Sequence, residues 1–319
     1  MNHAFKRLAL GVASLVFSLS FIAAEDAPVI AALKGPSGIA LVQLFENPPH
    51  LTGNRVAKME AVSSADLMVA KVVSGEYQVA VLPINMAAKL RRSGVDIELA
   101  AIIGNGMLSF LTNDPSIKSL AELRGRRIDV AGQGATPDFL FRRILKDGGL
   151  DPDKDLNLSF ALGYAEMASA LAAGSIESAV LPEPFSTLAR MKNPKLLSPL
   201  DLTALWKKST GMSDYPMTAL VIRKGSSITE ADARIILDAV RASISKTLQD
   251  PVAAGALVEK HGLGLTSAIA AAAIPRCNFV YLEAARARPE VEALLAEFLA
   301  AAPASIGGAL PDDAFYASF

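Results

Sequence analysis

The sequence predicts an α/β protein of two lobes joined by two crossover strands. Three observations carry that expectation. Short apolar runs alternate with stretches of helical spacing, the pattern of strands laid parallel beneath helices. The pattern restarts after Asn113-Asp114-Pro115, where a second set of strands begins. No Pro-, Gly- or Ser-rich linker separates the two sets, which suits a hinge and not two domains on a string.

The first lobe starts at Val29–Leu33. This apolar run is too short for a free-standing helix and suits a strand buried on both faces. Gly35, Pro36, Ser37 and Gly38 force a turn, and Ile39, Val42 and Phe45 recur at helical spacing. Ser37 is the expected N-cap. The loop then presents backbone N–H groups at the positive end of a helix, which suits a carboxylate, sulfonate or phosphate. A second strand is expected over 56–62. Ser63 or Ser64 caps the helix that follows, and Gly75 stops it. A third strand spans 78–82 and runs into Pro83-Ile84-Asn85; a fourth spans 99–103. Ser37, Ser63 or Ser64, and Asn85 thus stand at the carboxyl ends of three strands, where parallel sheets bind ligands.

The second set repeats the plan. Met107–Thr112 is a strand, 120–125 a short helix stopped by Gly125, and 127–131 another strand. Gly132-Gln133-Gly134-Ala135-Thr136-Pro137 is a second glycine-rich loop leading into a helix that ends at Gly148-Gly149. A strand over 156–162, a helix over 164–173 and a strand over 178–181 follow, the last running into Pro182-Glu183-Pro184. Tyr215–Arg223 is again a strand. The strands over 107–112 and 217–223 flank this set and are read as the crossovers. From Thr229 onward the chain reads as almost all helical, with aromatics Phe315 and Tyr316 packing back on a lobe.

The first residues have the pattern of a secretory signal. Lys6 and Arg7 precede an apolar stretch from Leu8 to Ala24, with small residues Ala23 and Ala24 for cleavage. About 295 residues would remain, enough for two lobes with cores of their own. The net charge is −1 and becomes slightly more negative without that segment, which is no footprint for nucleic acid. The only cysteine, Cys277, rules out an intramolecular disulfide. No later apolar run reaches membrane-span length. Beyond His3, only His50 and His261 remain, with no partner at ligand spacing, and no HExxH, GxSxG or multi-cysteine motif is present. Nothing calls for a catalytic residue, a metal or a cofactor.

Four stretches, together with the signal, resemble the solute-binding proteins of ABC importers, in the branch that takes nitrate, sulfonates, taurine and thiamine-pyrimidine precursors. They are Ser119-Leu-Ala-Glu-Leu-Arg-Gly-Arg-Arg-Ile-Asp-Val130, Gly132 to Pro137, Ala168-Ser-Ala-Leu-Ala-Ala-Gly174-Ser-Ile-Glu, and Leu181-Pro-Glu-Pro184. The likeness runs from about residue 28 to 300. It implies a two-lobe periplasmic-binding-protein fold of type II, the Venus flytrap, with a signal peptide over 1–24, a first lobe over 25–112 and 216–319, and a second over 113–215. It further implies a monomer in the periplasm that closes on a small ligand and delivers it to a membrane permease and its ATPase. The implied ligand residues are Gly35, Ser37, Gly38, Ser63, Ser64, Asn85, Gly134, Ala135, Thr136 and Glu183.

The residues themselves agree with that role. Closure would set hydroxyls, amides and helix N-termini from both lobes around one guest. Lys34 is the one basic residue in these loops, so an anion lacks the bidentate arginine that often holds it, and a neutral heterocycle is also accommodated. Phe139, Tyr164, Phe185 and Tyr215 stand near the loops; core or hinge packing is the first expectation for each, with Tyr215 kept as a candidate. Glu183 either accepts from a ligand or caps a helix. Two alternatives stand beside the importer: an enzyme of similar fold, as in the menaquinone pathway, and an exported ligand sensor. Thiamine-pyrimidine synthases of similar fold depend on histidine- and cysteine-rich motifs absent here.

Overall fold

A computed structural model describes residues 27–319; the signal-peptide expectation for 1–24 lies outside them. The first part of the chain forms β1 (Val29–Leu33), α1 (Pro36–Ala40), α2 (Val42–Glu46), β2 (Lys58–Val62), α3 (Ala65–Ser74), β3 (Val79–Pro83), α4 (Ile84–Arg92) and β4 (Ile97–Gly104). The middle forms β5 (Leu108–Thr112), β6 (Arg127–Val130), α5 (Thr136–Asp147), β7 (Asn157–Ser159), α6 (Tyr164–Ala172), β8 (Ser178–Pro182), α7 (Phe185–Lys192) and α8 (Leu202–Thr210). The last part forms β9 (Thr218–Arg223), α9 (Glu230–Gln249), α10 (Pro251–Lys260), α11 (Ser267–Ala273), β10 (Phe279–Glu283) and α12 (Ala284–Ala301).

Two sheets result, one per lobe. The larger has the order β10-β4-β9-β3-β1-β2 and the smaller β5-β8-β6-β7. The expected parallel pairing holds for β1 with β2 and β3, and for β6 with β7 and β8. Both sheets are nevertheless mixed. β9 runs antiparallel to β3 and β4, β5 antiparallel to β8, and β10 antiparallel to β4. β5 and β9 each follow a crossing from the other lobe and arrive from the opposite direction, so they pair antiparallel; β10 stays within the first lobe and turns back along β4 at the sheet's edge.

Three readings of the sequence change. The strand over 107–112 is not itself a crossover in the first lobe: β5 pairs along its whole length with β8 in the smaller sheet. The region after Thr229 is not all helical, because Phe279–Glu283 adds an edge strand to β4. Five residues after Cys277-Asn278 are too few to stand out between long helices. Ser37 is not the N-cap of α1, because Pro36 takes the first turn and Gly35, at φ 113°, takes the cap. The Ser37 hydroxyl instead accepts from Leu33 N–H at 3.0 Å and donates to the Leu33 carbonyl at 3.1 Å. Ser64, by contrast, caps α3 by accepting from Leu67 N–H at 3.3 Å, and Gly75 ends that helix left-handed at φ 82°. Phe315 and Tyr316 do pack back, and Ala317 N–H donates to the Leu99 carbonyl at 2.9 Å.

The tie between the loop after α2 and the start of α9 is the most polar buried feature of the first lobe. Asp232 is fully buried. Its carboxylate accepts from the N–H and hydroxyl of Thr52, both at 2.8 Å, from those of Thr229 at 3.0 and 2.7 Å, and from Arg55 at 2.5 Å. Burial by itself pushes a carboxyl up; these donors outweigh it and hold Asp232 below the ordinary carboxylate range. In the unfolded chain the same group takes a proton near pH 4. Stability is therefore full above about pH 4 and falls as the pH drops toward the lower folded value. Asp232→Asn is expected to cost about 3 kcal/mol at neutral pH and to flatten the acid limb of a plot of urea midpoint against pH. An acid limb as steep as in the wild type would contradict this assignment.

Candidate functional site

Two chain crossings join the lobes, residues 105–107 outward and 211–217 on return. Asp214 ties them together. Its Oδ1 accepts from Gly106 N–H at 2.9 Å and from Tyr215 N–H at 2.8 Å, and its Oδ2 accepts from Asn278 Nδ2 at 2.8 Å. Asn278 Nδ2 also donates to the Gly106 carbonyl at 2.9 Å, and Met217 N–H donates to the Gly104 carbonyl at 3.0 Å. The crossings lie so close that a Cβ on Gly106 would fall 2.5 Å from the Tyr215 ring and 2.6 Å from Asp214 Oδ1. Tyr215 is fully buried beside Trp206, with ring centroids 5.7 Å apart. It packs the hinge and does not line the cleft.

Beside this hinge, at the carboxyl ends of β1, β3 and β8, lies a cavity of about 140 Å³ with walls from both lobes. The first lobe supplies Leu33, Lys34, Pro36, Ser37 and the end of β3 from Val81 to Pro83. The second supplies Ala135, Thr136 and Pro137 at the start of α5, Pro182, Tyr164 and Phe185. Met107 and Met217 come from the crossings, and Thr218 from the start of β9. The wall is apolar apart from a few groups. Thr136 is 2% exposed and its Oγ1 has no hydrogen-bond partner. The start of α5 has no side-chain cap, so its positive end faces the same space. Tyr164 is 39% exposed and meets Phe185 with ring centroids 5.4 Å apart. Burial pushes the Tyr164 hydroxyl above its usual value, so it stays a neutral donor. Among the described residues Lys34 is the only charged side chain in the wall.

The expected residues divide around this cavity. Ser37, Ala135 and Thr136 line it; Gly35 shapes the turn between two of its wall residues. Gly38 faces protein, since a Cβ there would lie 3.0 Å from the Leu33 carbonyl and 3.6 Å from Leu263. Ser63 and Ser64 are exposed at the end of β2. Asn85 is buried in the first turn of α4, its Oδ1 without a partner. Gly134 N–H donates to Asp138 Oδ2 at 2.9 Å. The Glu183 carboxylate accepts from Thr187 N–H at 3.0 Å and so caps α7. Pro137, in the loop the resemblance implies, also lines the cavity; the methionines of the crossings, the remaining prolines and Thr218 were not singled out from the sequence. Met107 and Met217 each border a crossing, and that position is the signal that marks them.

A larger groove of about 570 Å³ lies outside the cleft, between α5 and the end of α12. Volume does not make it the site. Its arginines are already paired: Arg142 with Asp138 and Asp153, both at 2.6 Å, and Arg143 with Asp147 and Glu297. What this region does is bridge the lobes. Arg143 of α5 pairs with Glu297 of α12, and the rings of Phe139 and Phe298 approach to 5.0 Å between centroids. On the opposite flank, Ile269 of α11 packs against the second lobe's own core.

The profile of the NMT1-like family matches residues 6–247. The chain belongs to the NMT1-like family. Its fold matches a crystal structure of an ABC transporter protein from Parabacteroides distasonis, 31% identical, covering 92% of this chain and 99% of that one, at a TM-score of 0.78. The periplasmic aliphatic sulphonate binding protein SsuA from Escherichia coli is 17% identical, covering 88% and 90% of the two chains at a TM-score of 0.68. The same two-lobe fold carries an enzyme, the desulfurization enzyme DSZB, 15% identical, covering 91% and 96% at a TM-score of 0.59. Among curated proteins, the nitrate import ATP-binding protein NrtC of Synechocystis is 27% identical over 240 residues, 67% of this chain and 34% of that one. This NMT1-like chain thus spans about a third of the length of the curated relative it matches.

The hinge geometry of this NMT1-like protein makes Gly106 sensitive to a single methyl group. Gly106→Ala must push Tyr215 or Asp214 aside, and is expected to cost about 2 kcal/mol, the usual penalty for overpacking. Urea unfolding reads this directly, and a midpoint equal to that of the wild type would show that the crossings separate more easily than the contacts indicate.

Proposed function

We propose that this protein is the exported solute-binding component of an ABC importer, acting as a monomer in the periplasm. It closes its two lobes on a small organic or anionic ligand and gives it up to a membrane permease with its ATPase. One observation carries the reading: the cavity at the strand ends draws its wall from both lobes and from both crossings, so its shape depends on how far the hinge is closed. Ligand and closure are then linked, because a guest that touches both walls favours the closed form by its extra contacts there. The family, and the relatives named for ABC import and sulphonate binding, support the same reading. Export rests on the basic and apolar residues before Glu25; among the described residues no helix is long and apolar enough to cross a membrane.

The chemistry of the wall favours binding over catalysis. Among the described residues the cavity is lined by no histidine, cysteine or carboxylate, and these offer no pair of groups whose protonation states differ for acid–base work. Cys277 lies elsewhere, in the first lobe's core, where burial and then the nearby Glu183 charge push its thiol well above the usual value. The transport reading is tested by a thermal-shift screen of the purified protein against organic acids, sulfonates, nitrate and heterocycles. A true ligand at a hundredfold its Kd is expected to stabilise the protein by about 2.7 kcal/mol and to be recovered unchanged by mass spectrometry. Recovery of a chemically altered molecule would favour an enzyme.

A further inference from the structure

We propose that the cleft selects an aromatic monoanion, a single ring bearing one carboxylate or sulfonate, and discriminates against small inorganic anions such as nitrate. This inference deepens the solute-binding reading and rests on it. The size of the cavity points to one ring: about 140 Å³ is close to the roughly 150 Å³ of an engineered apolar cavity that takes benzene. The lining points to an apolar body. Tyr164 and Phe185 line the space with ring centroids 5.4 Å apart, and Met107 and Met217 flank it from the two crossings with soft, adaptable side chains.

The polar groups are few and gathered, which points to a single head. Thr136 lines the cavity with its Oγ1 buried and without a partner, so a guest that accepts from it relieves an unmet hydrogen bond. It stands in the first turn of α5, twelve residues long, which has no N-cap side chain and whose one acid, Asp138, is already held by Arg142 at 2.6 Å and Gly134 N–H at 2.9 Å, so the positive end still favours an anion. Lys34, an exposed residue of the other lobe's wall, has no carboxylate within ion-pair distance among the described residues, so it adds a positive charge at the rim of the cavity. One cation and one helix end match one negative charge. Nitrate would satisfy the head but leave the aromatic and methionine walls facing solvent or void. A neutral ring would fill the walls but leave the lysine and threonine unmatched.

The test is isothermal titration of the purified protein with benzoate, benzenesulfonate, benzamide, taurine and nitrate. The aryl acids are expected to bind about a hundredfold more tightly than nitrate and about tenfold more tightly than benzamide. Thr136→Val, which keeps the shape and removes the hydroxyl, and Lys34→Met are each expected to weaken the aryl acids about tenfold. Unliganded melting curves of both variants control for folding, and Tyr164→Leu serves as a third probe of the ring wall. Tighter binding of nitrate or taurine overturns the aromatic body, and equal binding of benzamide and benzoate overturns the anionic head. If the aryl acids fail while another compound of the thermal-shift screen binds, the ligand class is wrong and the receptor reading stands. If nothing in either panel binds, the receptor reading itself falls.

Discussion

β9 holds the architecture together by joining β4, with β10 at its edge, to β3, β1 and β2 in the middle of the larger sheet. It pairs antiparallel with β3 on one side and β4 on the other, so Thr218 faces Pro83 in one ladder and Gly104 in the other. A central strand cannot shift register without turning its buried face to solvent. The returning crossing is therefore anchored at one place, beside the outgoing one. Gly106, Asp214 and Asn278 close the gap with three hydrogen bonds. Because both crossings meet at the carboxyl ends of β3 and β4, the cleft forms there and not at the other rim. Every wall of the cavity is thereby within reach of the hinge.

That placement gives the cleft its chemistry. Methionines from the crossings, prolines from the strand ends and two aromatic rings from the second lobe leave little polar surface. In such a site the two parts of a guest matter about equally. Burying about 100 Å² of apolar surface contributes about 2.5 kcal/mol, and one hydrogen bond to a charged group about 2 kcal/mol. The single lysine and the uncapped turn of α5 set the position of a head, while the walls set the shape of a body. Contacts outside the cleft, the Arg143–Glu297 pair and the Phe139–Phe298 rings, join the same lobes independently of any guest. The balance between those contacts and the ligand's own determines how far closure depends on binding.

Local sequence was most informative where one residue does one geometric job. Ser64 caps α3, Gly75 stops it, and the stretch 132–137 turns into α5 with Thr136 in its first turn. It was least informative where a residue type serves two ends. Ser37 reads as a cap but hydrogen-bonds back to Leu33, because Pro36 and Gly35 claim the turn. Glu183 between prolines reads equally as ligand and cap, and its carboxylate meets Thr187 N–H. Tyr215 stands beside the cleft in sequence, yet its ring fills the hinge against Trp206. Met107 and Met217 are marked only by their places at the borders of the crossings, which by themselves do not point to a cavity wall.

The sequence by itself determined the α/β alternation, its restart after Pro115, the absence of a linker and the glycine-rich loops at strand ends, because each follows from spacing and backbone preference within a few residues. Only the tertiary structure decided that both sheets are mixed, that β5 belongs to the second lobe, and which loop residues meet across the cleft. Those outcomes depend on pairings between residues far apart in the sequence, 66 positions for Thr112 with Ser178 and 108 for Gly106 with Asp214, and no local preference encodes the direction from which a distant strand arrives.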